Sequence, residues 1–202
     1  MPGQRVVPRA LAALIALSSP AWTALVSTDA RASVSIAVTW EGLLGRSTAA
    51  AIVTPVEARA VWEGGRVYTY TRVHVDRPIA GNLGASGDAW VRTMGGVVGT
   101  TGQLVEGEAV LANGRSSLLF LHPGPVGTLA VTARGQGQFP VVADTDPAKP
   151  ARVVRSNATG ELLPPQTAAG AAPVLAGDML HGRVVDDAAR AIVADWSRLH
   201  AG

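Results

Sequence analysis

The sequence predicts a mainly β protein, a small barrel of five or six strands with a C-terminal α-helix. Three observations predict it. The middle of the chain is a series of short runs rich in β-branched and aromatic residues, separated by glycine, proline and Asn-Gly turn signals. One of these runs, Arg66 to Asp76 (RVYTYTRVHVD), alternates cleanly with the period of a strand. Near the C-terminus, Asp186 to Leu199 instead repeats its apolar residues at helical spacing.

The chain opens with an expected export signal at residues 1–32. Arg5 and Arg9 form a basic start, Ala10 to Leu17 an apolar helix, and Ala30-Arg31-Ala32 the small-residue pattern read by a signal peptidase. The mature protein would begin at Ser33 and work in the periplasm or outside the cell. The competing reading makes Ala10 to Val26 a membrane anchor, but Ser18, Ser19 and Pro20 interrupt it and no basic cluster follows. No later stretch is long and apolar enough to span a membrane, so no membrane span is expected after cleavage.

Composition narrows the chemistry. There is no cysteine among the 202 residues, which excludes thiolate catalysis, thiolate metal sites and a lipid-anchored N-terminus. The chain carries 17 basic and 15 acidic residues, and the signal removes Arg5, Arg9, Arg31 and Asp29, leaving 14 of each. A formally neutral mature chain lacks the basic surface of a general nucleic-acid binder, so no nucleic-acid partner is expected.

The elements follow in order. Trp40, Leu43 and Leu44 fall at helical spacing. Thr48 to Trp62 reads as a long first strand whose Pro55 requires an edge or a bulge. Glu63-Gly64-Gly65 then turns the chain into the Arg66–Asp76 strand. There Val67, Thr69, Thr71, Val73 and Val75 share one face and Tyr68, Tyr70, Arg72, His74 and Asp76 the other. Pro78 and the glycines from Gly81 to Gly87 are expected to end it. Asp88 to Met94 forms a third strand, a glycine-rich bend follows, and Gln103 to Leu111 reads as a short extended piece. Ser116 to His122, Thr128 to Arg134 and Gln138 to Ala143 complete the strands.

The barrel domain is therefore placed at 33–143. Proline and alanine mark 144–177 as irregular chain, and 178–202 holds the C-terminal helix packed on the barrel. Ala189, Ile192, Val193, Trp196 and Leu199 make its expected apolar stripe, with Asp186 and Asp187 complementing the helix N-terminus.

Tyr68-Thr69 to Val75, Pro78 to Gly81, the Gly95-Gly96 and Gly99 bend, Val105 to Glu108, Leu118 to Leu121 and Gln136 to Phe139 occur in one order. That order resembles a group of uncharacterised exported bacterial proteins of myxobacterium-like genomes. The strand order is also similar to that of an oligonucleotide/oligosaccharide-binding (OB-like) barrel, the topology of secreted netrin-like and metalloprotease-inhibitor domains. The resemblance implies an OB-like fold and carries no catalytic motif. The disulfides and N-terminal cysteine of those inhibitors have no counterpart here.

Candidate chemistry is sparse. No G-x-S-x-G elbow supports serine catalysis. His74, His122, His181 and His200 lack the spacing of a metal site, so neither metal nor cofactor is expected. His74 and His122 could meet only if adjacent strands paired them, and Glu106 and Glu108 could share a strand face as an acid/base pair. The richest surface carries Tyr68, Tyr70, Arg72, His74, Trp90 and Arg92. With the valines and threonines inward, these line up outside, where aromatic rings and arginines stack on bases, sugars or side chains. The structural alternative has them cover cross-strand neighbours or receive the C-terminal helix. The expected function is an exported, non-enzymatic binding module for a protein or glycan, with an accessory protein or inhibitor of an exported protease as the alternative.

Overall fold

The computed structural model describes residues 34–84, 87–166 and 172–201. The expected signal at 1–32 lies outside the described residues. The chain enters as β1 (Ser35–Ile36) and then α1 (Trp40–Gly45), whose Thr39 cap accepts the Gly42 N–H at 3.0 Å. Two long strands follow, β2 (Ala49–Glu63) and β3 (Arg66–Gly81), joined at Gly64 (φ 55°) and Gly65 (φ 79°). Both turn residues need positive φ, the signature of a type I′ hairpin, and only glycine supplies that without strain.

Next come β4 (Asp88–Met94), a small hairpin of β5 (Gly96–Val98) and β6 (Thr101–Gln103), then β7 (Ser117–Pro123) and β8 (Leu129–Val131). After these lie β9 (Gln138–Val142), β10 (Arg152–Val153), β11 (Leu162–Leu163), α2 (Ala176–Leu180) and α3 (Val185–Leu199).

Strands β2, β3, β4, β8 and β7 close into a five-stranded barrel. All pairings are antiparallel except β4 with β8, which meet in parallel at Val91 and Leu129; β7 and β8 seal the circuit. The expected small barrel with a C-terminal helix is what the chain forms. Its interior is narrow and takes small or branched side chains: Ala51, Val53, Val73, Val91, Leu119, Leu121 and Val131.

Register shifts between Ala50/Ala51, Ile52/Val53 and Pro55/Glu57 coil β2 and β3 around the barrel. Pro55 thus sits at a bulge, as its chemistry demands. Pro78 does not end β3, which runs on to Gly81. The β3–β4 pairing stops at His74/Asp88, so Pro78 lies on a free edge where its missing N–H costs no ladder bond.

A second core lies outside the barrel. Ala50, Leu118, Phe120 and Phe139 point away from the interior and are covered by Trp40, Leu43 and Leu44 of α1, Leu180 of α2, and Ala188 and Ile192 of α3. Phe120 packs edge-on between Trp40 and Phe139, with ring centroids 6.1 Å apart in each pair. The Trp40 indole N–H donates to Asp195 at 2.7 Å, and Arg77 pairs with Asp186 at 2.5 Å, fixing α3 along its length.

Several expectations are corrected here. Thr128 to Arg134 is not one strand: β8 ends at Val131, and Ala133 and Arg134 adopt left-handed backbone (φ 55° and 57°). That kink frees β8 to pair with β4 while β9 continues along the same edge of β7. Gln103 to Leu111 is extended only at its first residue, so Glu106 and Glu108 share no strand face. Gln138 to Ala143 is not the last strand, because β10 and β11 follow within the proline-rich segment 144–177, pairing with β9 and β1. The C-terminal region holds two helices, the first starting at Ala176. In α3 the stripe is rotated, with Val193 and Leu199 exposed and Ala188, Ala189 and Ile192 buried.

Candidate functional site on the outer face of the β2–β3–β4 ribbon

Strand alternation builds this face. Inward Val67, Thr71 and Val73 are buried, so Tyr68, Tyr70, Arg72 and His74 project outward. Register then aligns rows across three strands: Glu57–Arg72–Trp90, Arg59–Tyr70–Arg92 and Val61–Tyr68–Met94, with His74 beside Asp88 at one end. All six sequence-identified residues are brought together.

The face is electrically self-paired. Arg72 bridges Glu57 at 3.0 Å and Asp88 at 2.8 Å, and the other Asp88 oxygen lies 2.9 Å from His74 Nδ1. Arg92 donates to Glu63 at 2.5 Å, and its guanidinium lies 3.4 Å over the Tyr68 ring, while its buried Nε has no hydrogen-bond partner among the described residues. The Tyr70 hydroxyl donates to Glu63 at 2.5 Å. That hydroxyl, and then Arg92, hold the Glu63 carboxyl below its ordinary range, while Glu63 in turn raises the Tyr70 phenol. His74 and then Arg72 keep Asp88 similarly low.

Within this lattice lies a groove of about 490 Å³ lined by Glu57, Arg59, Val61, Glu63, Tyr70 and Trp90. Trp90 is 40% exposed beside it. Arg59 projects into it without an ion pair among the described residues. Four of these residues come from β2, which the sequence reading passed over as a site. The alternation of Glu57, Arg59, Val61 and Glu63 opposite the tyrosine strand was the available signal. The C-terminal helix covers the other flank of the barrel, so this face does not receive it.

The remaining candidates fall apart. His122 lies on β7, beside Thr132 at 3.3 Å, and β2 separates it from His74 on β3. Glu108 is buried and paired with Arg134 at 3.0 Å. The glycine-rich bend is the β5–β6 hairpin. Among the described residues no cluster of histidine and carboxylate could hold a metal ion, and no helix is long and apolar enough to cross a membrane. A cavity of about 300 Å³ between β9, β11 and α2 has its polar groups committed. There Arg155 is held by Asp178, and the Gln136 amide ties Val38 N–H and the Ile36 carbonyl.

No protein-family model, curated protein or solved structure matches this chain.

Proposed function

We propose that this is an exported, non-enzymatic binding module whose outer β2–β3–β4 face takes a protein or glycan of the envelope or the extracellular space. The observation that carries the reading is the groove itself: a half-exposed Trp90 and Tyr70 beside polar groups already fixed by one another. A pre-organised lattice loses little freedom on binding. Small β-barrels of this kind commonly use the same face for oligosaccharides.

The charge pairing favours a neutral, hydroxyl-rich ligand such as a glycan over a polyanion. Arg72 and Arg92 already face carboxylates, so an anionic polymer would have to displace them. A sugar ring can stack on Trp90 while Glu57, Glu63 and Arg59 bond its hydroxyls.

The test is binding of envelope-derived and neutral oligosaccharides, followed by tryptophan fluorescence, in the purified protein and in Trp90→Ala and Arg59→Ala. Both positions are solvent-facing, so the fold should persist while binding weakens about tenfold or more. Equal binding by all three proteins would remove the face from the function.

A further inference from the structure

We infer that the free edge of β2 pairs with the same edge of a second copy of this chain, joining two barrels through one continuous sheet. β2 is hydrogen-bonded on both sides only along Ala49–Val53, where β7 pairs with it; Gly114 donates to the Pro55 carbonyl at 2.8 Å just beyond. From Val56 to the turn, β2 pairs with β3 alone among the described strands. Glu63 and Arg66 close the two-residue turn and exchange their main-chain bonds with each other. Strand alternation then directs the N–H and C=O groups of Trp62, Ala60 and Ala58 outward to the open edge. Trp62 and Val56 are 51% and 44% exposed there.

The charges choose the occupant and its register. An antiparallel pair with its two-fold axis at Val61 sets Arg59 opposite Glu63 of the second copy, once on each side. Ala60 then faces Trp62, and these pairs exchange main-chain hydrogen bonds. The Arg59–Glu63 pairs fall at the closer, non-bonded positions, about 4.5 Å between Cα atoms. Among the described residues Glu63 accepts from Tyr70 and Arg92 alone and so retains acceptor sites for a further guanidinium.

The neighbouring registers fail. An axis at Arg59 opposes the two arginines, one at Ala60 opposes Glu57 to Glu63, and one at Trp62 leaves Arg59 facing Gly65. An axis at Ala58 pairs Glu57 with Arg59 but drives the second hairpin's tip toward β7. With the axis at Val61, each strand instead extends past the other's tip into open space.

The experiment is sedimentation of the full-length protein up to about 1 mM, where a contact of this limited length is populated. The expected result is a reversible dimer in the wild type and Arg59→Lys. Arg59→Glu and Ala60→Pro should weaken it at least about tenfold. Ala60→Pro removes an outward N–H, and Arg59 has no ion pair among the described residues, so circular dichroism should report an unchanged fold. Should the proline variant misfold, Arg59→Glu still decides. A wild type that stays monomeric throughout, or a dimer indifferent to Arg59→Glu, overturns the inference. Oligosaccharide binding by a strictly monomeric protein would leave the proposed function standing while removing the edge pairing.

Discussion

Ile192 and Val193 are adjacent on α3, chemically alike, and placed by sequence periodicity on one apolar stripe. Ile192 is 0% exposed between α1 and the barrel's outer face, whereas Val193 is 46% exposed. Ile192→Ala removes three buried carbons at about 0.8 kcal/mol each, about 2.4 kcal/mol of transfer free energy. The cavity left in the core cluster that Ile192 shares with Leu43, Ala50 and Leu180 raises the cost to about 3–4 kcal/mol. Val193→Ala removes two carbons at half burial, about 0.8 kcal/mol, and recovers about 0.5 kcal/mol because alanine suits a helix better than a β-branched residue. Its net effect is within about 0.5 kcal/mol. Urea unfolding followed by far-UV circular dichroism measures both; in a chain of this size Ile192→Ala should lower Tm by roughly 6–15 °C. Equal losses for the two variants, or a larger loss at Val193, would refute the placement of α3.

Gly137→Ala should cost about 1–3 kcal/mol, because a Cβ there would fall 2.0 Å from the Thr132 carbonyl oxygen; thermal unfolding checks it. Stability should also fall on acidification. Glu63, Asp88 and Asp186 have lowered pKa values in the fold, so their contribution is present above the ordinary carboxylate pKa of about 4 and is lost as pH drops through the depressed folded values. Denaturant titrations from pH 6 to pH 2 (roughly the window set by those shifts) should flatten in the triple variant Glu63→Gln, Asp88→Asn, Asp186→Asn; an unchanged slope would contradict the ion-pair geometry.

What the sequence made legible was local. The β3 alternation depends only on side-chain period, and it placed Val67, Thr71 and Val73 inside and Tyr70 and Arg72 outside correctly. The Gly64-Gly65 turn and the Pro55 bulge follow from backbone chemistry that neighbours do not alter. Features decided by distant partners were hidden. Pro78 is tolerated because β4 stops short of it, and β8 ends at Val131 because one strand edge serves two neighbours. α3 is rotated because Trp40, 155 positions earlier, binds Asp195. At the site, the aromatic and arginine residues were legible on β3 and β4. Their carboxylate partners Glu57 and Glu63 on β2 were legible only as a local alternation; which way that alternation faces is reset by the bulge at Pro55/Glu57, and the register that sets Glu57 opposite Arg72 depends on it.

The two cores are completed at different points along the chain. Every barrel strand lies between residues 49 and 131, whereas the cover over Phe120, Leu118 and Phe139 needs α1 from one end and α2 and α3 from the other. A chain that emerges N-terminus first can close its barrel before residues 176–199 arrive. In that interval the Phe120 flank has α1 over it but lacks the cover of α2 and α3. Truncation within α3 would leave a closed but sticky barrel prone to clumping.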